Sequence, residues 1–181
     1  MQMQLTAVVL PVSNVDRAKA FYRAAGFVED YDYVEGEDYR VVKLTPWGSS
    51  TSIVLGQGIT TAAPGSVQGL NLAVRDIESA RTDLLVRGIP VGDVFHDSCG
   101  VFYHLASAFA VPGPDPDRRA NHSFARFRDP DGNGWVLQET RALAPPVRGL
   151  TQDLRQRLLP TRDDGSRCDA LAPSDRVEEH R

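Results

Sequence analysis

The stretch FRDPDGNGWVLQE, residues 127–139, sets Asp129, Asp131, Asn133 and Gly134 on the spacing with which a calcium-binding loop begins. The match ends at the twelfth position, which needs a bidentate carboxylate and holds Thr140, with Glu139 one residue early. The flanks SFARF and WVLQE alternate as strands do, whereas a calcium hand needs a helix on each side. Pro130, Gly132, Gly134 and the short Asp and Asn side chains suit a turn joining two strands. Other reactive groups are few. The histidines are His96, His104, His122 and His180, and no HxH or HxxxH spacing holds two of them on one short element. Imidazole titrates near neutrality, so His104, beside Tyr103, is the candidate for acid–base chemistry. Asp115 and Asp117 in PGPDPD read as solvated loop carboxylates. Cys99 and Cys168 stand in dissimilar contexts and form neither a disulfide framework nor a CxxC site, which leaves them as free thiols. No GxSxG elbow, phosphate loop or strand-linked GxGxxG occurs, so nucleophilic hydrolysis and nucleotide binding lack a motif.

The elements that must position such groups repeat along the chain. Residues 8–27, VVLPVSNVDRAKAFYRAAGF, overlay residues 70–89, LNLAVRDIESARTDLLVRGI, without a gap. Leu10 falls on Leu72, Asn14 on Asp76, Val15 on Ile77, Ala18 on Ala80, Lys19 on Arg81, Tyr22 on Leu84 and Gly26 on Gly88. Each copy reads as a short strand, an Asn or Asp helix cap, a helix of about three turns with apolar residues every three or four positions, and a closing glycine. Three β-rich runs follow the first helix, giving βαβββ. After the second come IPVGDVF, GVFYHLA, HSFARFRD and GWVLQET, the same unit with an insertion. Strands dominate and one helix can cover a face of each half, so the fold class is α+β with a largely antiparallel sheet in two related parts.

Length and composition bound the function. The 181 residues suffice for one domain, and 41% hydrophobic and 24% charged residues are ordinary for a soluble globular protein. A net charge of -4 argues against nucleic acid as a partner, since a phosphate-backbone binder needs a basic face. The N-terminal residues lack a signal-peptide pattern and no run reaches the roughly 18 apolar residues of a membrane span, so a cytoplasmic protein with no membrane partner is expected. The expected organisation is a single domain over residues 1–140, with module one at about 5–58, module two at about 67–140, a hinge near SVQG, and an insertion loop at 97–121 able to line or lid a site. Residues 141–181 are expected to form a C-terminal extension: one short helix, TQDLRQRLL, then a mobile tail.

The paired VSNVDRAKAFYRAAGF and VRDIESARTDLLVRGI, closed by FRDPDGNGWVLQE, resemble the vicinal oxygen chelate superfamily of glyoxalase I, extradiol dioxygenases, fosfomycin-resistance and bleomycin-binding proteins. The resemblance spans about residues 5–140. It implies two βαβββ modules forming a curved, incompletely closed mixed β-barrel around a pocket, and commonly a homodimer. In the family's enzymes a divalent metal in that pocket holds two oxygens of the substrate. Carried over one by one, the ligand positions here are Ala7, seven residues before the first cap, Gly69 at the same offset in the second half, Val54 on the strand SIVLG, and Val136, four residues after the turn glycine. None offers a lone pair to a cation. The expectation is therefore no cofactor, with a divalent metal held by relocated His96, His104 or His122 as the alternative.

Strand alternation puts Ser52 beside Val54, Asn71 beside Gly69 and Gln138 beside Val136 on the cavity side. These polar groups, with Trp47, Phe102 and Tyr103 as aromatic walls, suit a small organic ligand bound by hydrogen bonds. Three readings follow: a metal-free binder that sequesters a small organic molecule, an enzyme of lyase, isomerase or dioxygenase type, or an interaction module whose extension recruits a partner.

Overall fold

The computed structural model describes residues 1–98 and 109–141. Local chemistry sets the two halves. In the first, β1 (Ala7–Val9) leads to α1 (Val15–Ala24), whose cap Asn14 accepts a hydrogen bond from the Arg17 amide at 2.9 Å. Gly26, at φ +96°, ends the helix and starts β2 (Phe27–Glu35), followed by β3 (Tyr39–Pro46) and β4 (Ser52–Gln57). In the second, β5 (Leu70–Val74) leads to α2 (Ile77–Val86), whose cap Asp76 accepts from the Ser79 amide at 2.8 Å. Then come β6 (Phe95–Asp97), β7 (Ala110–Pro112), β8 (Ser123–Arg128) and β9 (Gly134–Glu139). The matched Lys19 and Arg81 also share a task. Lys19 reaches Glu29 and Asp32 on β2, and Arg81 reaches the Gly92 carbonyl and Asp93.

The strands form two mixed sheets, in the orders β1-β4-β3-β2 and β5-β9-β8-β6-β7, with no closed barrel among the described residues. The first strand of each half runs parallel to the last strand of that half, and the other pairs are antiparallel. This is the α+β, two-part architecture expected. Three details differ. IPVGDVF contributes only an isolated bridge, Val91 to Phe127, before β6 begins at Phe95. The segment expected as a loop at 97–121 contains β7, which pairs with β6 and widens the second sheet to five strands. Asp115, expected in solvent, is fully buried: the Arg119 guanidinium and amide close over its carboxylate at 2.6–3.1 Å, and its own amide donates to Ser123 Oγ. Asp117 remains exposed. The strand GVFYHLA and the helix TQDLRQRLL lie outside the described residues.

One core joins the halves. Tyr22 of α1 packs edge-on against Phe27 of its own module and Trp135 of the other, and Phe127 stacks on Trp135. The DPDG turn is the fastener. Asp129, buried, accepts the Asp131 and Asn133 amides on Oδ1, and Tyr22 Oη and Asn133 Nδ2 on Oδ2, all within 3.0 Å. Asn133 also donates to the Pro11 carbonyl and accepts from the Val67 amide. Asp129 and Asn133, two of the residues that suggested calcium, thus spend their oxygens on the chain itself, in a hairpin turn from Arg128 to Gly134.

Candidate functional site

The helices cover one face of each sheet. Val42, Leu44, Ile53 and Leu55 of the first sheet and Ala125, Phe127, Trp135 and Leu137 of the second lie in the core with Ala18 and Tyr22. Because successive side chains alternate, Ala7, Val9, Val41, Lys43, Thr45, Ser52 and Val54 occupy the opposite, helix-free face, as do Asn71, Arg126, Val136 and Gln138 in the second sheet.

Register relates the donor positions that the resemblance implies to one another. Val9 pairs with Val54, and Asn71 pairs with Val136. The gapless repeat lays Val9 on Asn71, so Val54 and Val136 occupy equivalent places in the two halves, and both are apolar. Ala7 lies beside Ser52, and Gly69, at φ +77°, precedes β5. The polar neighbours are already engaged. Ser52, 4% exposed, shares a 2.7 Å hydrogen bond with Thr45, whose hydroxyl meets Asp30 at 2.5 Å. Asn71 donates to the Gly69 carbonyl, and Gln138 reaches the Asn121 carbonyl at 3.4 Å. Glu139 turns to the other face, where it accepts the Ile77 amide at the start of α2 and the Arg118 guanidinium. A divalent cation needs several convergent imidazole, carboxylate or thiolate donors. This set does not fit one, and among the described residues no three His, Cys, Asp or Glu groups converge.

The histidines are placed as follows. His96, on β6, makes a 3.0 Å hydrogen bond between Nδ1 and the Gly113 carbonyl. His122 precedes β8 and its carbonyl accepts the Asp97 amide; its Nδ1 is buried with no partner among the described residues. Phe102, Tyr103 and His104 lie outside the described residues. Trp47, 78% exposed, stands on the turn after β3. Two recesses, of about 300 and 380 Å³, open beside the helices, and their charged groups, Arg40 with Asp16 and Arg81 with Asp93, are paired internally.

Sequence reasoning missed much of the helix-free face in the first sheet. A β-bulge at Asp30 shifts the pairing of β2, after which Tyr31 lies opposite Lys43 and Tyr33 opposite Val41. The period-2 pattern in EDYDYVE was visible, but a bulge resets the face and only the pairing shows where.

No protein-family model matches the chain, and neither does any curated protein. Solved structures do. TnmS3, an antibiotic binding protein from Streptomyces sp. CB03234, is 28% identical, with a TM-score of 0.56 over 77% of this chain and 97% of that one. A glyoxalase/bleomycin resistance protein from the same organism is 29% identical, with a TM-score of 0.54 over 75% of this chain and all of the other. A member of the glyoxalase/bleomycin resistance protein/dioxygenase superfamily from Sphaerobacter thermophilus DSM 20745 is 25% identical, with a TM-score of 0.56 over 76% and 98%. The fold is that of this superfamily, as the repeat and the DPDG turn indicated.

Proposed function

We propose that this chain, built on the glyoxalase/bleomycin resistance/dioxygenase fold, binds a small organic molecule on its helix-free face without a catalytic metal. The observation that carries the reading is the pair Val54 and Val136, equivalent by register and repeat, and the resemblance implies that the metal enzymes present donors at these places. An apolar strip with hydroxyl and amide groups at its margin favours desolvation and hydrogen bonding over chelation. The likeness to an antibiotic binding protein supports the same reading. Native mass spectrometry of protein taken from its host is the test. The expected spectrum shows no stoichiometric divalent ion and a bound organic mass, and the thermal midpoint is unchanged by a chelator. One ion per chain whose removal abolishes ligand binding overturns the proposal.

One observation favours a catalytic variant of this reading: His122 Nδ1 is a buried ring nitrogen with no hydrogen-bond partner among the described residues. Turnover lost in His122→Ala, with binding retained, would establish it.

A further inference from the structure

The β2–β3 hairpin concentrates charge of one sign. Between Phe27 and Arg40 stand six carboxylates, Glu29, Asp30, Asp32, Glu35, Glu37 and Asp38, against one base. That base, Arg40, is committed on the helix side to Asp32 and Asp16, and Lys19 of α1 answers Glu29 and Asp32 there as well. The helix-free side has fewer cations. Its one ammonium in this sheet, Lys43, lies 4.0 Å from Asp30. Among the described residues Glu35 meets only a phenol, accepting Tyr33 Oη at 3.3 Å, and Glu37 and Asp38 occupy the exposed turn beyond it.

Aromatic rings surround this unanswered charge. Register places Tyr33 and Glu35 on one face of β2 and Tyr39 directly opposite Glu35, with Tyr31 two residues before Tyr33. The three rings are 42%, 48% and 40% exposed for Tyr31, Tyr33 and Tyr39, far from the burial that a packed sheet face would give them. Burial and Asp30 hold the Tyr31 phenol above its usual range, and Glu35 does so for Tyr33, so the rings stay neutral in ordinary buffers. Neutral phenol faces attract cations through their quadrupole, and a carboxylate between them supplies the counter-charge.

We propose that Tyr33, Tyr39 and Glu35, with Tyr31 and Asp30 at one end, form a site for an organic cation, an amine or guanidine carried on an aromatic or apolar body. The inference rests on the reading that the helix-free face binds a small organic molecule, and names the class of that molecule. The rings lie against the apolar body, Val41 extends that contact on β3, and Glu35 meets the positive head.

Fluorescence anisotropy of the full chain with three tricyclic probes tests this: proflavine as the cation, acridone as the neutral body and anthracene-2-sulfonate as the anion. Proflavine is expected to bind about 10-fold more tightly than acridone, and the sulfonate more weakly than either, since an exposed charge and a cation–π contact together contribute about one decade. Glu35→Gln should weaken proflavine about 5-fold and leave acridone unchanged. Tyr33→Phe, which keeps the ring and loses the hydroxyl, should bind proflavine as the native chain does, while Tyr33→Ala should not. Circular dichroism confirms that each variant is folded. Equal affinity for proflavine and acridone, unaffected by Glu35→Gln, overturns the cation site and leaves the organic-ligand reading standing. Failure of all three probes to bind counts against both. Binding of a lysine octapeptide in place of proflavine assigns the surface to a protein partner and overturns the proposal.

Discussion

Replacing Tyr22 by phenylalanine removes one oxygen from the centre of the molecule. That oxygen donates to Asp129 Oδ2 at 2.8 Å and accepts from Trp135 Nε1 at 3.0 Å, and Tyr22 is fully buried. The substitution leaves a buried indole N–H without an acceptor, which costs about 1–3 kcal/mol, and takes a hydrogen bond from a carboxylate, worth about 1.5–3 kcal/mol. Asp129 keeps three other donors, which offsets part of the second loss. A net destabilisation of about 3 kcal/mol follows, roughly a 10 °C fall in thermal midpoint for a domain of this size. Urea unfolding followed by far-ultraviolet circular dichroism reads it. A double-mutant cycle with Trp135→Phe should show about 1 kcal/mol of coupling, because the two side chains share the bond. The pH dependence gives a second readout. Burial, and then the charge of Asp129, push the Tyr22 phenol far above its ordinary value. The unfolded chain ionises this tyrosine near pH 10 while the folded chain retains the proton. Stability from this group is thus complete below about pH 10 and declines above it, by at most about 1.4 kcal/mol per pH unit. Tyr22→Phe should lack that component. A loss below about 1 kcal/mol, or an unchanged alkaline slope, refutes the view that this hydroxyl fastens the two modules.

Gly65→Ala should destabilise by about 3 kcal/mol or more in the same assay, because φ is +77° there and an added Cβ would sit 2.0 Å from the Asp131 carbonyl oxygen. Asp115→Asn should move acid unfolding to higher pH, measured by circular dichroism. Hydrogen bonds from Arg119 hold the Asp115 carboxyl well below the usual carboxylate range, so its contribution is present above about pH 4 and is lost as pH falls. Glu139→Ala should cost about 2 kcal/mol, since it uncaps the Ile77 amide at the start of α2 and leaves Arg118, held at φ +49°, without one of its two carboxylates. Amide hydrogen exchange in the first turn of α2 should rise with it.

What the sequence alone determined was local or periodic. The caps Asn14 and Asp76, the left-handed Gly26 and Gly88, and the alternation on either side of DPDG each depend on contiguous residues, whose backbone preferences and spacing leave few other structures. The repeat then fixed the two-part plan, and counting from the turn glycine reached Val136, the register equivalent of Val54. Tertiary structure decided the rest, because it depends on partners distant in the chain. Asp129 read as a turn residue and Asp115 as a solvated carboxylate, yet one binds a tyrosine 107 positions away and the other vanishes beneath an arginine. Burial of a charge depends on what closes over it, and no spacing rule encodes that. The tyrosines of β2 share that dependence: the bulge at Asp30, visible only once β3 is paired, turns Tyr31 and Tyr33 to the helix-free face beside Lys43 and Val41.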